Sequence, residues 1–268
     1  MSAVLHSIII PHRNRHDHLR QCLQSIEWAQ HTCGAGTLAH EVVVVDNGSA
    51  EPPGVSRWGF ARLVVDERPM PVVNKCALLN RGIDEARGEI LTFLDADAIV
   101  GPLWLHGAAR LLADDRPTLV AYRVRYLPQG QSVTSPEVWM ALFTAAAYNS
   151  RQRAWEGYGT PDRSPREPPE YCTGPVFGNS QFSIRRDVLG DLRWDEAYVG
   201  RGWEDLDMLW RLWRRIGSAA YRGFIERDDP RYCLYHAKHP YSADWRNGPC
   251  TSANLCRWTA LTAEGRPQ

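Results

Sequence analysis

Residues 90–97 read Ile90-Leu91-Thr92-Phe93-Leu94-Asp95-Ala96-Asp97, a short apolar run that ends in two carboxylates. A run of this length, preceded by Gly88, predicts a buried β-strand. An acidic pair at the exposed end of such a strand can hold a hard cation, because Mg²⁺ and Mn²⁺ favour oxygen ligands and accept phosphate oxygens in their remaining positions. The stretch therefore predicts a strand that delivers a metal site for a diphosphate.

The residues before this stretch alternate between apolar runs and helical patterns. They predict, in chain order, a strand at 5–10, a helix after position 17, strands at 41–45 and 62–65, and a helix at 74–86. Strands and helices that alternate at this spacing predict a parallel α/β sheet. Ligands of such sheets bind outside the carboxyl ends of the strands, where Pro11, Asp46 and Asp95 would lie.

A second acidic group lies about a hundred residues later, in Gly202-Trp203-Glu204-Asp205-Leu206-Asp207. It opens a helical pattern, and the helix dipole keeps a carboxylate at this position ionised. An ionised carboxylate suits a general base. The alternative interpretation is that the three acidic residues only complement the helix dipole.

The remaining patterns are less regular. Strands are predicted at 119–126 and 231–235, and a loop of about twenty residues at 151–169. Loops of that length in a compact domain are usually lids or binding segments. We therefore expect the 151–169 loop to close over a bound ligand.

The composition excludes several classes of protein. The chain has 268 residues, is 44% hydrophobic, and carries 31 basic and 31 acidic side chains. It therefore has enough apolar residues for one large core, but no basic excess for nucleic acid or an anionic membrane. No signal peptide or membrane-spanning run is apparent, and the seven cysteines form no CxxC pair. These features predict a cytoplasmic protein with reduced thiols.

Four segments occur in an order that is far more specific than the acidic pair alone. They are residues 8–15 (IIIPHRNR), residues 73–82 (VNKCALLNRG), residues 93–97 (FLDAD), and the region that contains FGNS at 177–180, WDE at 194–196 and GRGWEDLD at 200–207. Together they resemble the inverting glycosyltransferases of the GT-A fold, with the general family-2 pattern and features of the β-1,4-galactosyltransferase and chondroitin-polymerase branch. Trp203 stands where the galactosyltransferases have a glycine.

The resemblance implies a single α/β domain of the GT-A fold, with a mixed central sheet and helices on both faces. Residues 1–100 would form a Rossmann-like nucleotide-binding half, residues 101–240 a smaller acceptor-binding and catalytic half, and residues 241–268 a C-terminal tail. The implied reaction is the metal-dependent transfer of a hexose or N-acetylhexosamine from a UDP-sugar to a hydroxyl of a glycan, peptide or small natural product, which forms a β-glycosidic bond.

The resemblance also implies a role for each motif residue. Asp97 would bind Mn²⁺ or Mg²⁺, and a histidine would join it. His236 and His239 can both approach one ion, with His236 slightly preferred. Asp205 would be the base, Glu204 would position the acceptor, and Trp203 would stack on a sugar ring. The remaining contacts would come from Gly178 and Asn179 for the acceptor and from Pro11, Arg13, Arg15, Asp46, Lys75, Asp95 and Ala96 for the nucleotide.

Three other classes of function are compatible with an α/β fold of this kind. The pair Gly34 and Gly36 precedes a strand instead of following one, which argues against a nicotinamide-dependent oxidoreductase. Nucleotidyl transfer would favour a glycine-rich basic loop, which residues 12–18 lack. A catalytically silent nucleotide- or carbohydrate-binding module of the same fold is the main alternative. Release of UDP in the presence of acceptors would distinguish it from a transferase.

Overall fold

The computed structural model of the chain describes residues 6–32, 38–113, 115–122, 124–127, 132–143, 181–200, 202–217, 221–223, 230–236 and 249–264. Its elements follow in the order β1 (His6–His12), α1 (His16–Thr32), β2 (His40–Asp46), β3 (Ala61–Val65), α2 (Lys75–Glu85), β4 (Ile90–Phe93), β5 (Ala98–Val100), α3 (Trp104–Leu111), β6 (Leu119–Ala121), β7 (Val124–Tyr126), α4 (Pro136–Ala141), β8 (Phe182–Arg185), α5 (Arg186–Leu189), α6 (Glu204–Ile216), β9 (Tyr221–Gly223), a 3-10 helix (Pro230–Tyr232), β10 (Leu234–His236) and α7 (Pro249–Glu264).

The larger sheet has seven strands in the order β3-β2-β1-β4-β8-β6-β9. The four strands from the first hundred residues run parallel, which confirms the predicted parallel sheet. Strand β8 runs antiparallel to both β4 and β6 and makes the sheet mixed. The loops that follow β1, β2 and β4 therefore meet at one edge of the sheet.

The parallel strands are buried because helices cover both faces of the sheet. Ile8 and Ile10 pack with α1, whereas Ile9 packs with α2 on the opposite face. This alternation follows from the two-residue period of a strand. It explains why the strand sequences are apolar without a break, as is typical of parallel sheets.

Helix α2 confirms the predicted helix 74–86 to within one residue at each end. Asn74 is its N-cap, and the side-chain oxygen of Asn74 accepts a hydrogen bond from the backbone N–H of Ala77 at 3.0 Å. The helix lies close to the sheet, because a Cβ at Gly82 would be only 2.2 Å from Cγ2 of Ile9. The cap fixes the position at which α2 presents Lys75.

A small sheet of three strands, in the order β5-β10-β7, follows the acidic turn. The predicted strand 119–126 is wrong, because its halves pair with different partners: β6 joins the large sheet and β7 joins the small one. The predicted strand 231–235 is also displaced, because Pro230 begins a 3-10 helix and pairing starts only at Leu234. The small sheet brings the end of β10 beside the acidic turn.

Helix α7 occupies most of residues 241–268, which were predicted to form a C-terminal tail. Its sequence is rich in small and polar residues, so it lacks the clear apolar stripe from which a helix is predicted. Trp258 is nevertheless buried in the same apolar cluster as Leu206 and Leu209 of α6.

The 151–169 loop, predicted to close over a bound ligand, lies outside the described residues.

None of the helices in the described part of the chain is both long enough and apolar enough to cross a membrane.

The buried Glu41 lies near the start of β2, at the end of the large sheet opposite the acidic turn. Glu41 accepts hydrogen bonds from Ser7, from Arg62 and from both the backbone and the side chain of Arg87. These donors overcome the cost of burial and lower the pKa of Glu41 to about 2. A carboxylate held in this way stabilises the folded state only while it is ionised.

We expect Glu41→Gln to reduce the free energy of unfolding at pH 7 by about 2 kcal/mol, the usual contribution of hydrogen bonds to a charged group. Because the pKa of Glu41 is lowered in the folded state, the wild-type advantage should be present above about pH 4.5 and disappear as the pH falls toward 2. Urea unfolding at several pH values measures this difference. A difference in unfolding free energy that does not depend on pH would show that the ionised form of Glu41 is not what stabilises the folded state.

Candidate active site

Asp95 and Asp97 lie on a tight turn between β4 and β5. The backbone N–H of Ala98 donates to the carbonyl of Asp95 at 3.0 Å and closes the turn. Ala96 and Asp97 are buried, whereas Asp95 is half-buried. The turn therefore directs the two carboxylates to different surroundings.

Asp97 lies between an arginine and a histidine from two other elements. Oδ2 of Asp97 is 2.9 Å from NH1 of Arg15, which precedes α1, and 3.3 Å from Nε2 of His236, which ends β10. The register explains the second contact, because His236 pairs with Ala98 in the small sheet. The structure thus brings together Asp97 and the histidine that the sequence analysis prefers.

The spacing of Asp97 and His236 fits a shared ion. Neighbouring ligands of an octahedral ion, each at about 2.1 Å, lie about 3 Å apart. Among the described residues, no group of three or more His, Cys, Asp or Glu side chains is placed to hold a metal ion. The described residues therefore offer two protein ligands, and the rest of a coordination shell would have to come from elsewhere. His239 lies outside the described residues.

Lys75 connects the acidic turn to the start of α6. Its Nζ lies 2.5 Å from Oδ1 of Asp95. Burial lowers the pKa of Lys75, but the negative charges of Asp95, Glu204 and Asp205 outweigh burial and raise it above its usual range. A charge acts on a neighbour in this way only over short distances. Lys75 is therefore within range of charges from both acidic clusters, and the bridge between Asn74 and Gly200 brings the start of α2 beside the segment that leads into α6.

Glu204 is the most unusual acid of this site. It is 7% exposed, and its Oε2 accepts no hydrogen bond from any residue that the structure describes. Burial and then the negative charge of Asp205 raise the pKa of Glu204 to about 7, although Lys75 acts in the opposite direction. Glu204 therefore keeps its proton to a higher pH than an ordinary glutamate does, because the charged form is disfavoured in these surroundings.

The third acid of α6 has a different role. Asp207 is buried and pairs with Arg211 one turn later, at 2.5 Å. Its backbone N–H donates to the carbonyl of Trp203 at 3.0 Å. The pair with Arg211 and the backbone bond fix the first turn of the helix. Trp203 itself is half-buried and has a left-handed backbone, with φ of 74°.

The residues predicted to bind uridine make contacts of their own. Oδ1 of Asp46 lies 2.7 Å from Nδ1 of His12, and Oγ of Ser49 donates to the same oxygen at 2.5 Å. Burial lowers the pKa of His12, while Asp46 partly offsets this effect. NH1 of Arg13 donates to the carbonyl of Met70 at 2.7 Å. These bonds hold the carboxyl ends of β1 and β2 together and join the loop after β1 to the segment between β3 and α2.

The other predicted contacts are divided between the described and the remaining residues. Pro11 lies within β1, opposite Val45 of β2, at the carboxyl end of both strands. Gly178 and Asn179 lie outside the described residues. Sequence reasoning missed the interaction of Lys75 with Asp95 and the burial of Glu204, because both depend on packing between distant segments.

The family model for glycosyl transferase family 2 matches residues 7–167, which is more than half of the chain. The chain belongs to glycosyl transferase family 2. The match covers the sheet edge and the Asp95–Asp97 turn but ends before α6. The finer resemblance to β-1,4-galactosyltransferases and chondroitin polymerases stays a prediction.

One curated relative of this family-2 chain is "Probable N-acetylgalactosaminyltransferase 9" of Caenorhabditis elegans, which is 24% identical over 168 residues. The match covers 62% of this chain and 28% of the relative, so the two share only a part of the longer protein. At this level of identity the two sequences differ at most positions.

Solved structures with the same fold include two bacterial proteins. Glucosyl-3-phosphoglycerate synthase of Mycobacterium tuberculosis, in complex with Mn²⁺, UDP and glucosyl-3-phosphoglycerate, is 19% identical with a TM-score of 0.59, and the match covers 98% of this chain and 81% of that one. TarS 1-349 of S. aureus, in complex with UDP-GlcNAc, is 16% identical with a TM-score of 0.55 over 89% and 60% of the two chains. This likeness confirms the predicted GT-A fold with its mixed sheet.

Proposed function

We propose that this family-2 chain is a metal-dependent, inverting glycosyltransferase. It transfers a hexose or N-acetylhexosamine from a UDP-sugar to an acceptor hydroxyl and forms a β-glycosidic bond. The observation that carries the proposal is that Lys75 pairs with Asp95 at 2.5 Å while the bridge between Asn74 and Gly200 brings the start of α2 beside the segment before Glu204 and Asp205. The first acidic cluster suits a metal-bound diphosphate, and the second suits a general base. The complexes of similar folds with UDP, UDP-GlcNAc and Mn²⁺ support the choice of donor.

The nucleotide binds at the sheet edge formed by the loops after β1, β2 and β4. Pro11 and Asp46 face the uridine, and the guanidinium groups of Arg13 and Arg15 donate charge-assisted hydrogen bonds to the diphosphate. Arg15 already contacts Asp97, so it can pass from this carboxylate to a phosphate oxygen. Lys75 adds a positive charge beside Asp95.

Asp97 and His236 would hold a Mn²⁺ or Mg²⁺ ion, with oxygens of the diphosphate in its other positions. Such an ion neutralises the charge that develops on the departing UDP. His239 is the alternative histidine.

Asp205 accepts the proton of the acceptor hydroxyl as that oxygen attacks the anomeric carbon from the side opposite UDP. The bond between the anomeric carbon and the diphosphate oxygen breaks, UDP leaves with the bonding electrons, and an α-linked donor gives a β-linked product. Glu204, in its protonated form, donates a hydrogen bond to the acceptor sugar. Trp203 offers its ring to the sugar face, and Gly178 and Asn179 complete the acceptor side.

We expect Asp97→Ala to weaken UDP binding at least about 10-fold in Mn²⁺, because even the outer partners of metal ligands contribute this much to metal affinity. Calorimetry with UDP measures the loss, which should disappear in EDTA. The exposed Asp17→Ala provides a control with the same change of charge. A loss of equal size with and without metal would contradict the ligand role. His236→Ala and His239→Ala decide which histidine binds the ion.

A UDP-release assay tests the proposed activity directly. The panel contains the UDP forms of glucose, galactose, N-acetylglucosamine and N-acetylgalactosamine, each with glycan, peptide and small-molecule acceptors. We expect Mn²⁺-dependent release with at least one pair, and the NMR coupling of the anomeric proton should identify a β-linkage. An α-linked product would contradict inversion. UDP binding without any release or transfer would favour the silent binding module.

A further inference from the structure

The segment 194–200 leads toward the first turn of α6, which carries Glu204 and Asp205, and α2 and the residue before its cap hold this segment. The amide of Asn80 bonds to the backbone N–H and the carbonyl of Trp194, at 2.8 and 2.9 Å. The side chain of Asn74 donates to the carbonyl of Glu196 at 2.7 Å, and the backbone N–H of Gly200 donates to the carbonyl of Val73 at 3.0 Å. One side of the segment is therefore fixed to the helix that carries Lys75.

Helix α7 also holds this segment. Nδ2 of the buried Asn254 donates to the carbonyls of Val199 and Gly202, at 3.0 and 3.1 Å. Arg257, one turn further along α7, pairs with Asp195 at 2.5 Å. Asn254 thus bonds to two backbone carbonyls shortly before Trp203.

The backbone shortly before α6 needs outside support. Gly200, Gly202 and Trp203 have φ values of 77°, 100° and 74°. The left-handed region is unfavourable for a residue with a side chain, so Trp203 adopts it only where its surroundings impose it. A Cβ on Gly200 would lie 3.1 Å from Cβ of Cys250, so α7 also packs tightly against the turn.

We propose that α7 positions the first turn of α6, with Asn254 as the positioning residue that holds Val199 and Gly202 and thereby fixes the place of Glu204 and Asp205. This inference rests on the proposed function for the roles of the two acids. The link from the turn to the acids is direct, because the carbonyl of Trp203 accepts the backbone bond of Asp207 in the first turn of α6. A change in the backbone at Gly202 and Trp203 therefore moves that turn.

The consequences for the site follow from geometry. A displacement of about 1 Å at a reacting group can reduce the rate of a reaction about 100-fold. Release of the turn also opens the surroundings of Glu204 to water. Because burial is the largest cause of its raised pKa, the pKa of Glu204 should then fall toward its ordinary value.

The test compares Asn254→Ala with Thr259→Ala, which changes an exposed residue of the same helix. We expect Asn254→Ala to lower kcat about 100-fold with unchanged affinity for UDP in Mn²⁺, and Thr259→Ala to resemble the wild type. The second readout is the pKa of Glu204, measured by NMR on protein with ¹³C-labelled glutamate carboxyls and assigned with Glu204→Gln. This pKa should fall by more than one unit in Asn254→Ala only.

The two readouts separate this inference from the proposed function. A lower pKa of Glu204 in Asn254→Ala supports the positioning role even when no UDP-sugar is transferred, an outcome that would refute only the transferase. A wild-type kcat and an unchanged pKa in that variant would overturn the inference. Should Asn254→Ala fail to fold, Asn254→Leu keeps the branching and the number of side-chain heavy atoms, removes the donors, and is judged by the same two results.

Discussion

Replacing Asp205 with asparagine is expected to reduce sugar transfer by about 10²- to 10⁴-fold, the usual contribution of a well-placed general base. Asparagine has the size of aspartate but cannot accept the proton of the acceptor hydroxyl. Asp205 suits this role because it is half-buried on the first turn of α6, where the helix dipole favours a negative charge. UDP binding should change little, since the nucleotide lies at the sheet edge.

Single-turnover transfer and UDP calorimetry in Mn²⁺ together check this result. Asp191→Asn is a suitable control, because Asp191 is an exposed acid in a surface pair with Arg215. Loss of transfer with retained UDP binding supports a base. Transfer at the wild-type rate in Asp205→Asn would refute the role of Asp205 as the base. Loss of UDP binding would instead show that Asp205 contributes to binding the nucleotide.

The first half of the fold could be predicted because its signals are local. Strands β1, β2 and β4 contain short apolar runs that are followed directly by Pro11, Asp46 and Asp95, and such runs have few structural solutions. Helix α2 has an explicit start signal in Asn74. Because parallel strands share one carboxyl edge, the order of these elements also predicted which loops meet.

The second half was harder because its elements depend on distant partners. The sequence of residues 119–126, LVAYRVRY, predicts one strand, but β6 pairs with β8 and β7 pairs with β10. No local pattern encodes this division. Helix α7 has no clear apolar stripe, and its two polar anchors, Asn254 and Arg257, are meaningful only beside residues 195–202.

The candidate site shows the same limit at the level of single residues. The sequence predicted that Asp97 and a histidine near 236 would meet, since motif order carries that information. It did not predict that Lys75 would contact Asp95, nor that His12 would pair with Asp46. It also placed three acids on one helix end without showing that Glu204 is buried. Burial is a property of the folded chain and separates these three acids.

Glu204→Gln is expected to stabilise the protein at alkaline pH, by an amount on the order of 3 kcal/mol. The pKa of Glu204 rises from an ordinary 4.5 to about 7 in the folded state, because of burial first and the charge of Asp205 second. Below about pH 4.5 Glu204 is protonated in both the folded and the unfolded chain, so the wild type and the variant should have similar stability. As the pH rises from 4.5 to 7, Glu204 loses its proton in the unfolded chain but keeps it longer in the folded chain. The wild type should therefore lose stability over this range. Glutamine cannot ionise and escapes this loss.

Urea unfolding of both proteins at pH 5 and pH 8 measures the effect, and the exposed Glu67→Gln provides a control whose difference from the wild type should not change with pH. The sign is informative, because a glutamate in a favourable ion pair gives the opposite result, namely a variant that is less stable at pH 8. That opposite result would show that Lys75 dominates over burial, and Glu204 would then be a charged partner of the lysine instead of a neutral hydrogen-bond donor. A gain at pH 8 together with a loss of transfer would show that the protein keeps a destabilising acid at this position because the reaction requires it.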